Sequence, residues 1–230
     1  MKALLKLTVF WGLLFWGACN VAEKDQKTSS PAVDSDPVAV TPIAKEEKIK
    51  SIVFFGNSLS AGYGVNPEEC FAGLIEKRVD SLGLPYKVIN AGLSGETTAG
   101  GESRIDWILR QPVDVFILEL GGNDALRGIQ PASSYKNLQS IIDKTKAKYP
   151  EVKIIIAGMM APPNMGIDFT TKFKDIFPKI AEESKSLLIP FLLEGVAAIP
   201  SLNQADGIHP NPQGHKIVAE NIWGILKEIL

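Results

Sequence analysis

Residues 49–230 predict an α/β fold, a three-layer α/β/α sandwich built on a parallel sheet. Apolar, β-favouring runs alternate with amphipathic segments five times over. The run at 113–120 (VDVFILEL) is mostly apolar, as a central strand covered on both faces requires. The early runs also end in glycine, serine or asparagine, the usual hand-over from a buried strand to an exposed turn.

The first strand, 52–55 (IVFF), runs straight into Gly56, Asn57 and Ser58. After a short polar loop to Pro67, residues 68–82 carry Phe71, Leu74, Ile75, Val79 and Leu82 at helical spacing, and Gly83 stops the helix. A second strand, Tyr86–Asn90, opens into the glycine-rich AGLSGETTAGG; the helix that follows turns Ile105, Ile108 and Leu109 inward and ends before Pro112. The third strand, 113–120, leads into GGND at 121–124. Residues 131–149 set Tyr135, Leu138, Ile141 and Ile142 on one face and lysines on the other, and Pro150 terminates them. A fourth strand at 153–159 precedes MAPPNMG, where paired prolines exclude regular structure. Residues 169–185 form a helix with Phe173, Ile176, Phe177 and Ile180 inward and a kink expected at Pro178. A short fifth strand occupies 187–191. The last helix starts from Asn211 as N-cap with Pro212 in its first turn, and buries Ile217, Val218, Ile222, Ile225, Leu226 and Ile229.

Ahead of this domain the composition changes twice. Lys2 and Lys6 precede an apolar run, 7–16, too short for the ~20 residues that span a bilayer but suited to an export signal. It ends in Gly17, Ala18 and Cys19, which resembles the bacterial lipoprotein signal whose cysteine becomes the lipidated first residue. Trp16 departs from that pattern, standing where an aliphatic residue is usual. Residues 20–48 are rich in Lys, Asp, Glu, Ser, Thr, Pro and Val without a period, the composition of a flexible spacer. The expected organisation is therefore a signal at 1–19, a linker at 20–48 and one folded domain at 49–230.

The formal charge of −2 comes with dispersed lysines and arginines, so no basic stripe grips a phosphate backbone and no nucleic-acid partner is expected. Of two cysteines, Cys19 is assigned to processing, which leaves Cys70 alone; it reads as a small buried residue near Phe71 and Leu74. Oligomeric state is not legible.

The chemistry gathers where the strands end. Ser58 follows the first strand, and in open α/β sheets ligands bind beyond the strands' carboxyl ends. A serine hydroxyl needs a base within hydrogen-bond reach, and the base needs an acceptor on its other nitrogen. DGIHPN at 206–211 offers both, with Asp206 three residues before His209. Acyl transfer also needs donors for its oxyanion, for which the glycine amides of SGET and the side chain of Asn123 are suited.

These four stretches, GNSLSAGYG (56–64), SGET (94–97), GGND (121–124) and DGIHPN (206–211), resemble the four blocks of the SGNH (GDSL) hydrolase family in sequence, order and spacing. Within it the likeness is to the bacterial multifunctional thioesterase, lysophospholipase and arylesterase group. The resemblance implies a flavodoxin-like sandwich with a five-stranded parallel sheet, in agreement with the strand count. It further implies Ser58 as nucleophile, His209 as general base and Asp206 as its orienting partner. The oxyanion hole would comprise the amides of Ser58 and Gly95 and the side chain of Asn123. Pro162, Pro163, Asn164 and Met165 would flank the acyl chain. No cofactor and no metal are implied; the expected partner is a small-molecule or lipid ester, with a membrane tether through Cys19. One position departs: Asn57 stands where the family has the aspartate of its name, and a tuned enzyme rather than a dead one is expected.

An α/β-hydrolase elbow, G-x-S-x-G, does not fit, because Ser60 occupies the place of its last glycine. His215 reads as structural or solvated, and Asp206, His209 and His215 lack the further ligands of a metal site. Asp124 and Arg127 read as ordering the loop after the third strand. A carbohydrate O-acetyl esterase and a non-catalytic surface-binding lipoprotein are the competing functions.

Overall fold

The structure, a computed structural model, describes residues 48–230. The export signal, Cys19 and the linker up to residue 47 lie outside the described residues.

Five strands, β1 (Lys50–Gly56), β2 (Tyr86–Asn90), β3 (Val115–Glu119), β4 (Lys153–Ala157) and β5 (Leu187–Ile189), form one sheet in the order β2-β1-β3-β4-β5, every pair parallel. The three-layer α/β class read from the alternation is the observed one. Ile52 to Phe55 of β1 and all of β3 are buried, because each lies between two neighbouring strands and is covered on both faces.

The helices are α1 (Ser58–Ala61), α2 (Phe71–Ser81), α3 (Thr98–Ile108), α4 (Gly122–Leu126), α5 (Pro131–Lys148), α6 (Ile167–Ser184) and α7 (Pro212–Leu226). α2 packs against α7, while α3, α5 and α6 pack side by side, which gives the two helical layers. The cap of α7 is as expected: Asn211 accepts from the amides of Gln213 (3.0 Å) and Gly214 (3.1 Å), with Pro212 at the first helical position.

The differences from the expectation are local. Leu82, read as the last residue at helical spacing, lies just past α2 as its C-cap and is 58% exposed. The supposed loop after Asn57 begins with α1, a single turn too short to leave a periodic signal. Pro163–Met165 forms a 3₁₀ turn despite the paired prolines, since proline's fixed φ suits the start of a helical turn. α6 continues through Pro178 to Ser184, and β5 ends at Ile189.

One topological feature places the site. From β1 the chain moves to β2 on one side, and from β3 it moves to β4 on the other, so the winding reverses between β1 and β3. A crevice opens at such a switch point beyond the carboxyl ends of the strands. Ser58 follows β1 there, and Asn123 follows β3.

Candidate active site

β1 ends at Gly56, Asn57 caps α1, and Ser58 is the first residue of that turn. A Cβ on Gly56 would collide with Ser60 Oγ and Glu119 Oε2, so only glycine lets the turn lie this close to the end of β3. Ser58 Oγ lies 2.8 Å from His209 Nε2, and His209 Nδ1 lies 2.7 Å from Asp206 Oδ2. The three sequence-predicted residues therefore form one hydrogen-bonded chain, although Ser58 and His209 are 151 positions apart.

The loop that carries His209 is built to present it. Asp206 Oδ1 accepts from the amides of Ile208 (2.9 Å) and His209 (3.0 Å), which closes a local turn and leaves Oδ2 for the imidazole. Those two amides and the His209 ring hold the Asp206 carboxyl well below the usual range, at about 2. Being ionised, Asp206 accepts the hydrogen bond of His209 Nδ1–H, which leaves the Nε2 lone pair facing the Ser58 hydroxyl. Gln204 spans the two segments by donating to Tyr63 O (2.7 Å) and Pro210 O (3.0 Å). The ring of Tyr63 lies against the His209 imidazole, with centroids 4.7 Å apart.

The loops after β2 and β3 are tied to each other. Gly95 has φ +81°, a conformation that side-chain-bearing residues rarely adopt. Asn123 Nδ2 donates to Glu96 O (2.9 Å), which occupies one of its two protons. Arg104 forms a bidentate pair with the buried carboxylate of Glu96 and also donates to Ala91 O (2.8 Å). Asp124 is buried and accepts from the Thr98 amide (2.8 Å) and Ser134 Oγ (3.0 Å), and Arg127 donates to Gly95 O (3.0 Å). Asp124 and Arg127 thus join α4 to the β2 loop.

Beneath the serine turn lies Glu119, 1% exposed, at the end of β3. Its two oxygens accept from Asn57 Nδ2, the Asn57 amide, the Ser60 amide and Ser60 Oγ. Burial pushes its pKa up to about 7 against the pull of these four donors. Ser60's hydroxyl can rotate, so it can donate to the carboxylate or accept from the carboxylic acid.

Ser58, Gly95, Asn123 and His209 line a single cleft of about 780 Å³. Away from these groups its wall is largely apolar, with Leu126, Met159, Met160, Phe191 and Leu193 prominent. Pro162 and Pro163 line it as well; Asn164 and Met165 sit in the 3₁₀ turn and are not among its lining residues. His215 is apart from this group. It is buried with Nδ1 accepting from the Phe71 amide (3.2 Å), and burial lowers its pKa to about 4. Cys70 is buried at the N-cap of α2, its thiol 2.9 Å from Pro67 O.

Sequence reasoning missed Glu119, Tyr63, Gln204 and Arg104. Only Glu119 left a signal, an acid at the end of an otherwise apolar strand next to GGND. The others act through contacts between segments that local pattern does not report.

Comparison with known proteins agrees with the geometry. The model of the GDSL-like lipase/acylhydrolase family matches residues 54–217. Esterase TesA of Pseudomonas aeruginosa is 34% identical over 194 residues, which is 84% of this chain and 96% of that protein. The thioesterase 1/protease 1/lysophospholipase L1 of Escherichia coli K12 is 34% identical over 171 residues, covering 74% of this chain and 80% of the relative. A crystal structure of TesA superposes with a TM-score of 0.75 at 36% identity, over 79% of this chain and all of that one.

Proposed function

Because the chain belongs to the GDSL-like lipase/acylhydrolase family and is an SGNH-type ester hydrolase, we propose that it hydrolyses acyl, aryl or lysophospholipid esters, or acyl thioesters, through an acyl-enzyme on Ser58. The observation that carries this reading is the hydrogen-bonded chain Ser58–His209–Asp206 at one end of an apolar cleft.

In the proposed reaction Ser58 Oγ attacks the substrate carbonyl while its proton passes to His209 Nε2. Asp206, ionised, stabilises the imidazolium that results. Negative charge develops on the former carbonyl oxygen, where the amides of Ser58 and Gly95 and the second Asn123 Nδ2 proton act as donors. The tetrahedral adduct collapses as His209 returns the proton to the departing alcohol or thiol. Water then attacks the acyl-enzyme, with His209 acting again as base and acid.

The apolar wall favours an acyl chain over a sugar ring and weighs against a carbohydrate O-acetyl esterase. Each buried methylene contributes about 0.8 kcal/mol, so kcat/KM on a C2 to C16 ester panel is expected to rise about fourfold per methylene until the cleft is filled. A maximum at C2, together with release of acetate from acetylated polysaccharide, would move the assignment to the competitor.

Export and a lipid tether complete the proposal, supported by Lys2, Lys6, the apolar run 7–16 and Cys19. The full chain is expected in the membrane fraction and its Cys19→Ala variant in the soluble fraction. A wild-type chain recovered wholly soluble contradicts the tether.

A further inference from the structure

Beside the cleft lies a second, smaller hollow of about 350 Å³ that the proposed mechanism does not use. Its lining comes wholly from the loop between β5 and α7, and three of its residues, Ala198, Asn203 and Gly207, also line the cleft. That loop is one piece with the turn that carries His209. The Gln204 amide donates to His209 O (2.8 Å), and the Gly207 amide donates to Gln204 O (2.9 Å). Ala198 has φ +60°, in the left-handed region that side-chain-bearing residues seldom occupy, and such a residue persists only where its surroundings hold it. Asn203 supplies that hold from both sides, its Nδ2 donating to Val196 O at 2.7 Å and to Ile199 O at 2.8 Å.

The same two bonds decide what Asn203 offers to a ligand. Both Nδ2 protons are engaged by backbone carbonyls, which orients the carboxamide and leaves only Oδ1. The residue is 8% exposed, and among the described residues nothing donates to Oδ1, yet that oxygen is not sealed inside the protein. Among the described residues no lysine or arginine lines the hollow or the cleft. The hollow therefore presents an acceptor and no fixed positive charge, which suits a hydroxyl and leaves a phosphate without a partner.

We propose that this hollow receives the alcohol side of the ester, and that Asn203 Oδ1 accepts a hydrogen bond from a hydroxyl of a small neutral polyol such as glycerol. The assignment deepens the acyl-enzyme reading of Ser58 and rests on it. Acyl transfer dictates which part of the substrate lies there, because the departing oxygen must reach His209 Nε2 to recover a proton. The alcohol then extends along the loop that carries His209, while the acyl chain takes the apolar wall of Met159, Met160, Phe191 and Leu193. An alcohol with no hydroxyl to donate leaves Oδ1 unpaired in the complex, and a site built for a donor discriminates against such an analogue. Acyl esters of a glycerol-like alcohol are thereby preferred over esters whose alcohol carries a phosphate.

The test compares kcat/KM of the full chain on 2,3-dihydroxypropyl butyrate and on 2,3-dimethoxypropyl butyrate, which shares the acyl group and a similar inductive effect but has no donor. Wild-type protein is expected to favour the diol by about tenfold, and to turn over 1-butyrylglycerol 3-phosphate no faster than the dimethoxy ester. Asn203→Leu removes Oδ1 and is expected to bring the diol preference to within about twofold of unity. Loss of folded protein lowers both rates equally, so a purely structural role for Asn203 does not move this ratio. Should that variant fail to fold, Ala205→Trp, which places an indole at the hollow, is expected to erase the same preference. Equal wild-type rates on the two butyrates, or an undiminished preference in the variant that folds, overturn the proposal. Faster turnover of the phosphate ester than of the diol overturns the neutral class. Failure of wild-type protein to hydrolyse either butyrate or p-nitrophenyl butyrate would instead refute the acyl-enzyme reading itself.

Discussion

Ser58→Ala is expected to lower kcat for a chromogenic short-chain ester by about 10⁴- to 10⁶-fold while leaving the melting temperature nearly unchanged. The hydroxyl is the one group in the cleft paired with His209 Nε2, at 2.8 Å, and without it no acyl-enzyme forms. Folding should be little affected, because Ser58 is only half-buried and its backbone conformation depends on Asn57 and Glu119, not on its own side chain. The residual rate would come from water activated by His209 next to oxyanion donors that remain in place. Steady-state kinetics with circular dichroism of the same sample decides the matter. Activity within tenfold of wild type would mean that another group attacks the ester.

The second large effect is at Asn123. Its alanine variant removes a proposed oxyanion donor and should reduce kcat by about 10²- to 10³-fold with KM within a few-fold, since the charge that donor would stabilise is developed in the transition state. The same side chain donates one proton to Glu96 O at 2.9 Å, so its truncation also cuts a tie between the β2 and β3 loops. That tie is not the sole support, because Arg104 holds Glu96 and Arg127 holds Gly95 O. A loosened loop would raise KM, whereas a missing donor lowers kcat; an unchanged kcat removes Asn123 from the oxyanion hole.

These two predictions concern residues that could be named from the chain alone, which is not true of everything around them. Ser58, Gly95, Asn123, Asp206 and His209 stand in short blocks with characteristic local spacing, and the i, i+3 relation of Asp206 to His209 is closed by a turn contained in six residues. Tyr63 and Gln204 lie in the same neighbourhoods, yet nothing local marks them, since their role is a bridge between loops 141 positions apart. Of the four residues expected beside an acyl chain, Pro162 and Pro163 line the cleft and Asn164 and Met165 are not among its lining residues; the 3₁₀ turn of Pro163–Met165 is too short to leave a period to read.

By itself the sequence determined the type and order of the five strands and the five longer helices, because hydrophobic period, caps and turn residues are properties of neighbouring positions. It could not determine the strand order, which sets the switch point between β1 and β3, nor the approach of Glu119 beneath Gly56. Those depend on packing energies summed over segments far apart in the chain. Only the folded sheet brings the end of one buried strand under the turn of another, and there an asparagine in place of the family aspartate acquires its partner.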